Sequence, residues 1–564
     1  MMQSLRDRLL YTMDFVCGVE LVSTRGTMSE GSAIRVRRFA HDLVEHPRVD
    51  WVSITDNAGG NPMLGPMALG KPILYAGKEA VIHLSCKDFN RNGLEREAWQ
   101  LASEGFHNIL ALSGDSPVAG LGGRAKPVFD LDSIGLLSML RQMNDGLAVP
   151  TNGSAGGGRQ LAKTQFFVGA VTTNFKLREN EVLPQYLKLE KKIECGAQFI
   201  IGQIGFDSRK THELLLYLQR RGLEEMPVIG NVYLLNPRVV EFFHQQKIPG
   251  VVVSDELLAR CRLEAQSPDQ GRNFFLDLAA KQSAICRGLG YRGVYFGGVH
   301  ALSELESIFE IESGFSPDDW KQFAREIRYS RPDEFFLLAE NPETGLADIS
   351  HFSPEYERSL QSRSRFAGGG LAYRFSKMMH HSLFTPGRGL HGLGVNIYRN
   401  AADTNQGPKP LRALEHLSKA ALFHCKDCGD CSLPDIAYLC PESACAKNQR
   451  NGPCGGTRDG KCEAGDFECI WCRAYDRLKS EGAEMDLLAH APVIQDQALR
   501  GTSSWANAYL QRDHHGRQHP VQGRVSPTPP SGSNRVNDVL RPNPPAVPRE
   551  APKAVSTQIP AQKC

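Results

Sequence analysis

The sequence predicts an α/β protein: a (β/α)8 barrel, then a mostly helical, cysteine-rich, metal-binding domain, then a disordered tail. Three observations carry this. Eight short β-branched runs alternate with amphipathic helical stretches from residue 1 to 312, the repeat that builds a closed parallel barrel of about 250 residues. Nine of the fifteen cysteines lie between Cys425 and Cys472. Beyond His514 ten prolines, Pro520 to Pro560, interrupt a polar and aperiodic sequence that has too little apolar surface to order itself. The expected divisions are 1–312, 313–510 and 511–564.

In chain order, the strand runs are Val16–Val22, Trp51–Thr55, Ala80–Leu84, Asn108–Leu112, Phe166–Val171, Gln198–Gln203, Pro227–Val232 and Gly293–Gly297. Leu94–Glu104, Pro184–Cys195 and Arg272–Leu289 carry helical spacing between them. A doubly wound sheet is the rival, but it places a phosphate-binding glycine turn after its first strand. Here that strand ends in Glu20-Leu21-Val22-Ser23. Two glycine-rich loops, Gly120–Gly123 and Gly153–Gly158, read as a surface insertion or as cover over a site. In the second part, Asp318–Arg328, Pro354–Phe366, Leu411–Phe423 and Arg473–Ala489 read as helices. Gly387–Gly392 spells a dinucleotide-binding pattern but follows a helical segment rather than a strand, so it is not read as a nucleotide site.

Composition narrows the class. The chain has 564 residues, 41% hydrophobic and 23% charged, with 65 Lys+Arg against 63 Asp+Glu. That balance argues against tracking a nucleic-acid backbone. No apolar run reaches the ~18–20 residues of a membrane span, and the N-terminus has no secretory pattern. A cytoplasmic protein is expected, and in a reducing compartment a dense cysteine cluster reads as metal ligands.

A (β/α)8 barrel does its chemistry at the C-terminal ends of its strands. The groups expected there are Glu20; Thr55, Asp56 and Asn57; His83, Ser85 and Asp88; Leu112, Ser113, Gly114 and Asp115; Thr172, Thr173 and Asn174; Gln203; Asn231 and Tyr233; and Gly297 and Gly298. Glu20 sits among Val19, Leu21 and Val22, so desolvation should raise its pKa and suit it to donate a proton; the plainer reading is a strand-end ion pair. Asp115 follows a Ser-Gly turn that lets backbone approach a ligand; the plainer reading is a helix cap. His83 reads more simply as a core histidine.

The runs Gly18-Val-Glu-Leu, Val52-Ser-Ile-Thr55-Asp-Asn, His83-Leu-Ser-Cys86-Lys-Asp88, Asn108-Ile-Leu-Ala-Leu-Ser-Gly-Asp115 and Leu187 to Gln203 together resemble methylenetetrahydrofolate reductase, in order and with matching spacing from residue 14 to 305. The resemblance implies a (β/α)8 flavoprotein of one-carbon metabolism that binds FAD and interconverts 5,10-methylenetetrahydrofolate and 5-methyltetrahydrofolate. It implies Glu20 as the general acid at the folate ring nitrogen, Asp115 beside flavin and pterin, and Gln203 and Thr55 against the folate substrate. Thr55, His83, Leu112, Ser113, Gly114, Asp115, Ala170, Lys191 and Lys192 fall at FAD-contact positions. NAD(P)H or a carrier protein would exchange the electrons, and a homo-oligomer is compatible with the family. A tetrahydrofolate-dependent methyltransferase or demethylase on the same barrel is the alternative. The sequence departs from relatives after Glu20, at Ser113 and at Thr172.

The cysteine run Cys425, Cys428, Cys431, Cys440, Cys445, Cys454, Cys462, Cys469 and Cys472 is similar to the C-terminal domain attached to some of these reductases. Cys425, Cys428, Cys431 and Cys440-Pro follow the ferredoxin pattern with a longer last gap, leaving a second set with one cysteine to spare. Alternatively the pairs 425/428 and 469/472 frame one tetrahedral zinc. Iron–sulfur clusters would relay single electrons to an electron-transfer protein; zinc would hold shape or dock a partner.

Overall fold

The structure, a computed structural model, describes residues 3–117, 120–150, 158–361 and 370–516. Eight parallel strands close a barrel in the order β1-β8-β7-β6-β5-β4-β3-β2. They are β1 Val16–Leu21, β2 Trp51–Ile54, β3 Glu79–Ser85, β4 Asn108–Leu112, β5 Phe167–Thr172, β6 Phe199–Gly202, β7 Val228–Tyr233 and β8 Gly293–Gly297. Every bound falls within one residue of the expected run.

Alternation along each strand sorts the side chains. Val16, Trp51, Val81, Leu110, Phe167, Phe199, Ile201, Ile229 and Tyr295 form one buried cluster inside the barrel, joined by Leu5 and Leu9. Those leucines belong to a short helix, Leu5–Tyr11, which the sequence analysis did not foresee. The other parity faces the helices: Val19, Val52, Ile82, Ile109, Ala170, Ile200, Val232 and Phe296 belong to the outer core. Close packing fixes the glycines between the layers. At Gly18 and Gly169 a Cβ would lie 2.1 Å from the Trp51 ring and 2.3 Å from the Phe199 ring, so any side chain would overpack the interior.

The outer core runs on without a seam through Phe323, Phe335, Leu338, Phe352 and Tyr356, and into Ile436, Leu439, Ile470, Trp471, Tyr475 and Leu487 of the cysteine region. Residue 312 is therefore no break in packing. The expected helices appear as Arg91–Ser103, Glu179–Glu194, Arg272–Leu289, Trp320–Glu326, Pro354–Gln361, Lys409–Phe423 and Ile470–Glu481. The 387–392 stretch lies after helix Leu371–Phe384 and leads into helix His391–Arg399, with no strand before it. The Gly153–Gly158 loop falls almost wholly outside the described residues; its arms, Ala148–Pro150 and Gly158–Gln160, pair antiparallel. Among the described residues, order continues past 510: Asp513 and His514 are buried, and of the expected tail the part from 517 onward lies outside the described residues. Among the described residues no helix is long and apolar enough to cross a membrane.

Candidate functional site

Glu20 is the last inward-facing residue of β1, in register with Ser53 on β2. The Tyr295 hydroxyl donates to its Oε1 at 3.1 Å. A Cβ on Gly297 would lie 3.1 Å from Glu20 Oε2 and 2.8 Å from the Tyr233 ring, so the carboxyl sits between two tyrosines. No ion pair reaches it among the described residues, which removes the strand-end ion-pair reading. Desolvation raises its pKa, only partly offset by the Tyr295 hydrogen bond. Burial and the Glu20 charge push Tyr233 up to about 12.

His83 is buried and hydrogen-bonded through Nε2 to Ser53 Oγ at 2.8 Å. Burial, helped by Lys87, pushes its pKa down to about 3, so it is a neutral group inside the barrel. Thr55 Oγ1 and Asn231 Oδ1 are buried at the rim without a hydrogen-bond partner, groups that a polar ligand would satisfy. Asp56 is engaged by the Ser85 hydroxyl at 2.6 Å, and Asn57 by Asp88 at 2.8 Å. Gln203 Oε1 accepts from the amide of Ile204 at 2.9 Å.

Asp115 does not cap a helix. It accepts from the Gly59 amide at 3.2 Å, and the following helix, Ser133–Asp145, is capped by Asp132. Ala170 is fully buried in the outer core. Its side chain faces the helices, so it lies off the mouth of the barrel, as the alternation along β5 requires.

The cysteine region lies across this mouth. Lys447 Nζ donates to the Gly114 carbonyl at 2.7 Å and pairs with Glu463, whose Oε1 accepts from the Ser116 amide at 3.1 Å. Gln449 Oε1 accepts from Ser113 Oγ at 3.2 Å and from Lys188 Nζ at 3.0 Å. Lys191 donates to His490 at 2.8 Å, a ring whose pKa burial pushes down to about 4. Lys192 donates to the Val171 carbonyl. Burial pushes both Lys191 and Lys192 down to about 7. Sequence reasoning had no signal for the contacts of Lys447, Gln449 and His490 with the barrel, which join positions more than 250 residues apart.

This arrangement tests FAD against the residues present. Thr55 keeps a free hydroxyl, but the Ser113 hydroxyl, the Gly114 carbonyl and the Lys191 and Lys192 ammonium groups bond to the protein itself. As folded, the cations and the turn that would receive a flavin diphosphate are already engaged, so this face does not fit FAD.

The cysteines gather into two groups. Cys425, Cys428, Cys431 and Cys440 lie within one another's electrostatic range, beside Lys419. Cys445, Cys454, Cys462 and Cys469 line a small pocket with Lys447, Gln449 and Trp471. The pairs 425/428 and 469/472 thus fall in different groups. The described cysteines are all free thiols. The Asp427 amide points at Cys425 Sγ and the Gln449 amide at Cys445 Sγ, each at 3.4 Å, and Lys419 Nζ lies 3.6 Å from Cys431 Sγ. Donors aimed at sulfur suit thiolate ligands, so these residues fit a metal centre. A separate set escaped the sequence analysis: Asp435, His514 and His515 bring ligand-type atoms within 4.8 Å of one another. Asp430 Oδ1 accepts from the backbone amide of His514 at 3.1 Å and also bonds its ring. A pair of histidines just before the proline-rich stretch was the available sign.

Asp132 ties the halves together. It caps its own helix, and its Oδ2 accepts from the Arg450 and Asn451 amides at 3.2 and 3.0 Å. Asp132→Ala is expected to cost about 1 kcal/mol for the cap and a further ~1–3 kcal/mol for each buried donor left unpaired. A lowered thermal midpoint checks this; an unchanged one would deny that Asp132 anchors the cysteine region.

Fold and rim together define an enzyme-type (β/α)8 barrel with a desolvated acid at its mouth and a thiol-rich domain packed across it. The chain belongs to the methylenetetrahydrofolate reductase family: residues 34–300 match the family model described as methylenetetrahydrofolate reductase, and 408–497 that described as methylene-tetrahydrofolate reductase C terminal. The family is one of folate-metabolising enzymes. No curated protein matches the chain in sequence. Among solved structures, an uncharacterized Clostridium thermocellum protein titled as binding two copies of 5-methyl-5,6,7,8-tetrahydrofolic acid is 12% identical, with a TM-score of 0.40 over 55% of this chain and 97% of its own. A dihydropteroate synthase from Thermus thermophilus is 14% identical, with a TM-score of 0.28 over 54% and 96%.

Proposed function

We propose that the protein binds a reduced folate at the C-terminal rim of its barrel and interconverts 5,10-methylene- and 5-methyltetrahydrofolate, with Glu20 as the proton donor and a nicotinamide nucleotide, NAD(P)H in the reducing direction, exchanging the two electrons as hydride. The observation that carries this is the Glu20 carboxyl, desolvated between Tyr295 and Tyr233 and free of any cation among the described residues. Its neutral form persists to higher pH than that of an ordinary glutamate, so it can protonate a ring nitrogen and open the methylene bridge to an iminium. Thr55, Asn231 and Gln203 offer hydroxyl and amide groups to a pterin, and Asp115 offers a carboxylate to the donors on its amino-pyrimidine edge.

In the cysteine region, the sets 425/428/431/440 and 445/454/462/469 would hold metal. The ferredoxin-like order of Cys425, Cys428, Cys431 and Cys440-Pro favours iron–sulfur clusters over a single zinc. A cluster bound there supplies single-electron transfer.

The filled flavin face favours one second reading, transfer of the folate methyl group without hydride chemistry. Calorimetric titration of the full chain with 5-methyltetrahydrofolate tests the shared claim. Saturable binding is expected, with Gln203→Ala weakening it by about 10-fold, or ~1.4 kcal/mol. No binding would sink both readings. Mass analysis of the folate product then separates them: methylenetetrahydrofolate supports the first, tetrahydrofolate with a methylated acceptor the second.

A further inference from the structure

On the β4–β6 side of the rim, cationic and hydrogen-bonding groups converge: Lys176, Lys188, Lys191, Lys192, Gln185 and the Ser113–Asp115 turn. Four buried ammonium groups near a Ser-Gly turn are the recognition chemistry of a diphosphate, and the family resemblance puts FAD on this face. Here the acceptors come from the chain itself. Lys188 donates to the Gly452 carbonyl at 3.1 Å as well as to Gln449. Lys176 donates to the Gly455 carbonyl at 2.6 Å and to that of Thr457. Gln185 donates to the Cys454 carbonyl at 2.6 Å. A run of backbone oxygens therefore stands where an anion's oxygens would.

The segment that supplies them is built for close approach. At Gly452 φ is +115°, and a Cβ there would lie 2.9 Å from the Lys188 chain, so glycine is needed both for the turn and for the lysine contact. Toward β7 the same segment reaches Gly250, where a Cβ would lie 3.0 Å from the Gly455 carbonyl and 3.1 Å from Gln203 Nε2. The segment is anchored near its start: Lys447 on Gly114 and Glu463, and Arg450 and Asn451 on Asp132. Trp471 closes over it, donating to the Gln449 carbonyl at 3.2 Å.

We infer that the segment Lys447–Thr457 takes the place of the flavin on this rim, so that the folded chain receives its folate with no FAD beside it. The inference rests on the folate reading only for the neighbouring ligand; the displacement of flavin stands on the segment's own contacts.

The test uses the full chain, purified anaerobically, incubated with excess FAD and desalted, with flavin absorption and 5-methyltetrahydrofolate binding measured on the same samples. Wild type is expected to retain no flavin. Lys447→Ala, which frees the Gly114 carbonyl and unpairs Glu463, is expected to bind FAD at least tenfold more tightly than wild type. Gln449→Ala, which removes the acceptor of Ser113 and Lys188, serves the same purpose should the first variant not fold. Stoichiometric FAD on the wild type overturns the inference and leaves the folate reading intact. Folded variants that gain no FAD affinity also overturn it, because the segment would then be displacing nothing. Loss of folate binding alone counts against the proposed function and not against the displacement.

Discussion

Glu20→Gln is expected to lower folate turnover by ~10²–10⁴-fold, the usual range for removing a positioned acid, while leaving folate binding nearly unchanged. The amide keeps an oxygen for the Tyr295 hydroxyl and matches the carboxyl in volume, so the fold should persist. The pH dependence gives a second readout. Burial raises the Glu20 pKa, so the acid form is present below that raised value and is lost as pH rises through it. Wild-type turnover should fall along that limb, and the variant's residual rate should not. Stability has the same sign: the folded state holds this proton more tightly than the unfolded chain, so the contribution is present at low pH and lost as pH rises through the folded-state value. The variant should therefore be relatively more stable on the alkaline side. Full turnover by Glu20→Gln would remove Glu20 as the acid.

The second large effect is expected at the cysteines nearest the rim. Cys454→Ser with Cys469→Ser should release the metal of that set and lower the thermal midpoint sharply, since structural metal binding is worth on the order of 10 kcal/mol to a small domain. Cys454 adjoins the carbonyls that receive Lys176 and Gln185, so the damage should spread to the barrel mouth. Cys472→Ser should keep the metal: Cys472 neighbours Cys469 but does not line the pocket formed by Cys445, Cys454, Cys462 and Cys469. Metal analysis on the folded variants decides it. Unchanged metal in the double variant, or loss of metal in Cys472→Ser, would redraw the ligand set.

Much of the barrel was legible because its signal is local. Period-two alternation marks both the existence of a strand and which residues face inward, so Glu20, Ser53 and His83 could be placed in the interior from spacing alone. The same alternation, applied to Phe167–Thr172, would have put Ala170 on the helix side; resemblance overrode it. The short helix Leu5–Tyr11 was hidden because its two leucines acquire a partner only once the barrel has closed around them. For the cysteines, spacing pointed to metal ligands, but two groupings fitted it equally.

The sequence by itself determined the eight strands, the inward parity that carries Glu20 to the rim, and the concentration of thiols in one region. All of these are written in residues a few positions apart. Only the tertiary structure decided what lies across the mouth of the barrel. Lys447 meets Gly114, and Gln449 meets Ser113, across more than three hundred residues of chain. No periodicity links such positions, because their pairing depends on the shape of a surface that exists only after both halves have folded.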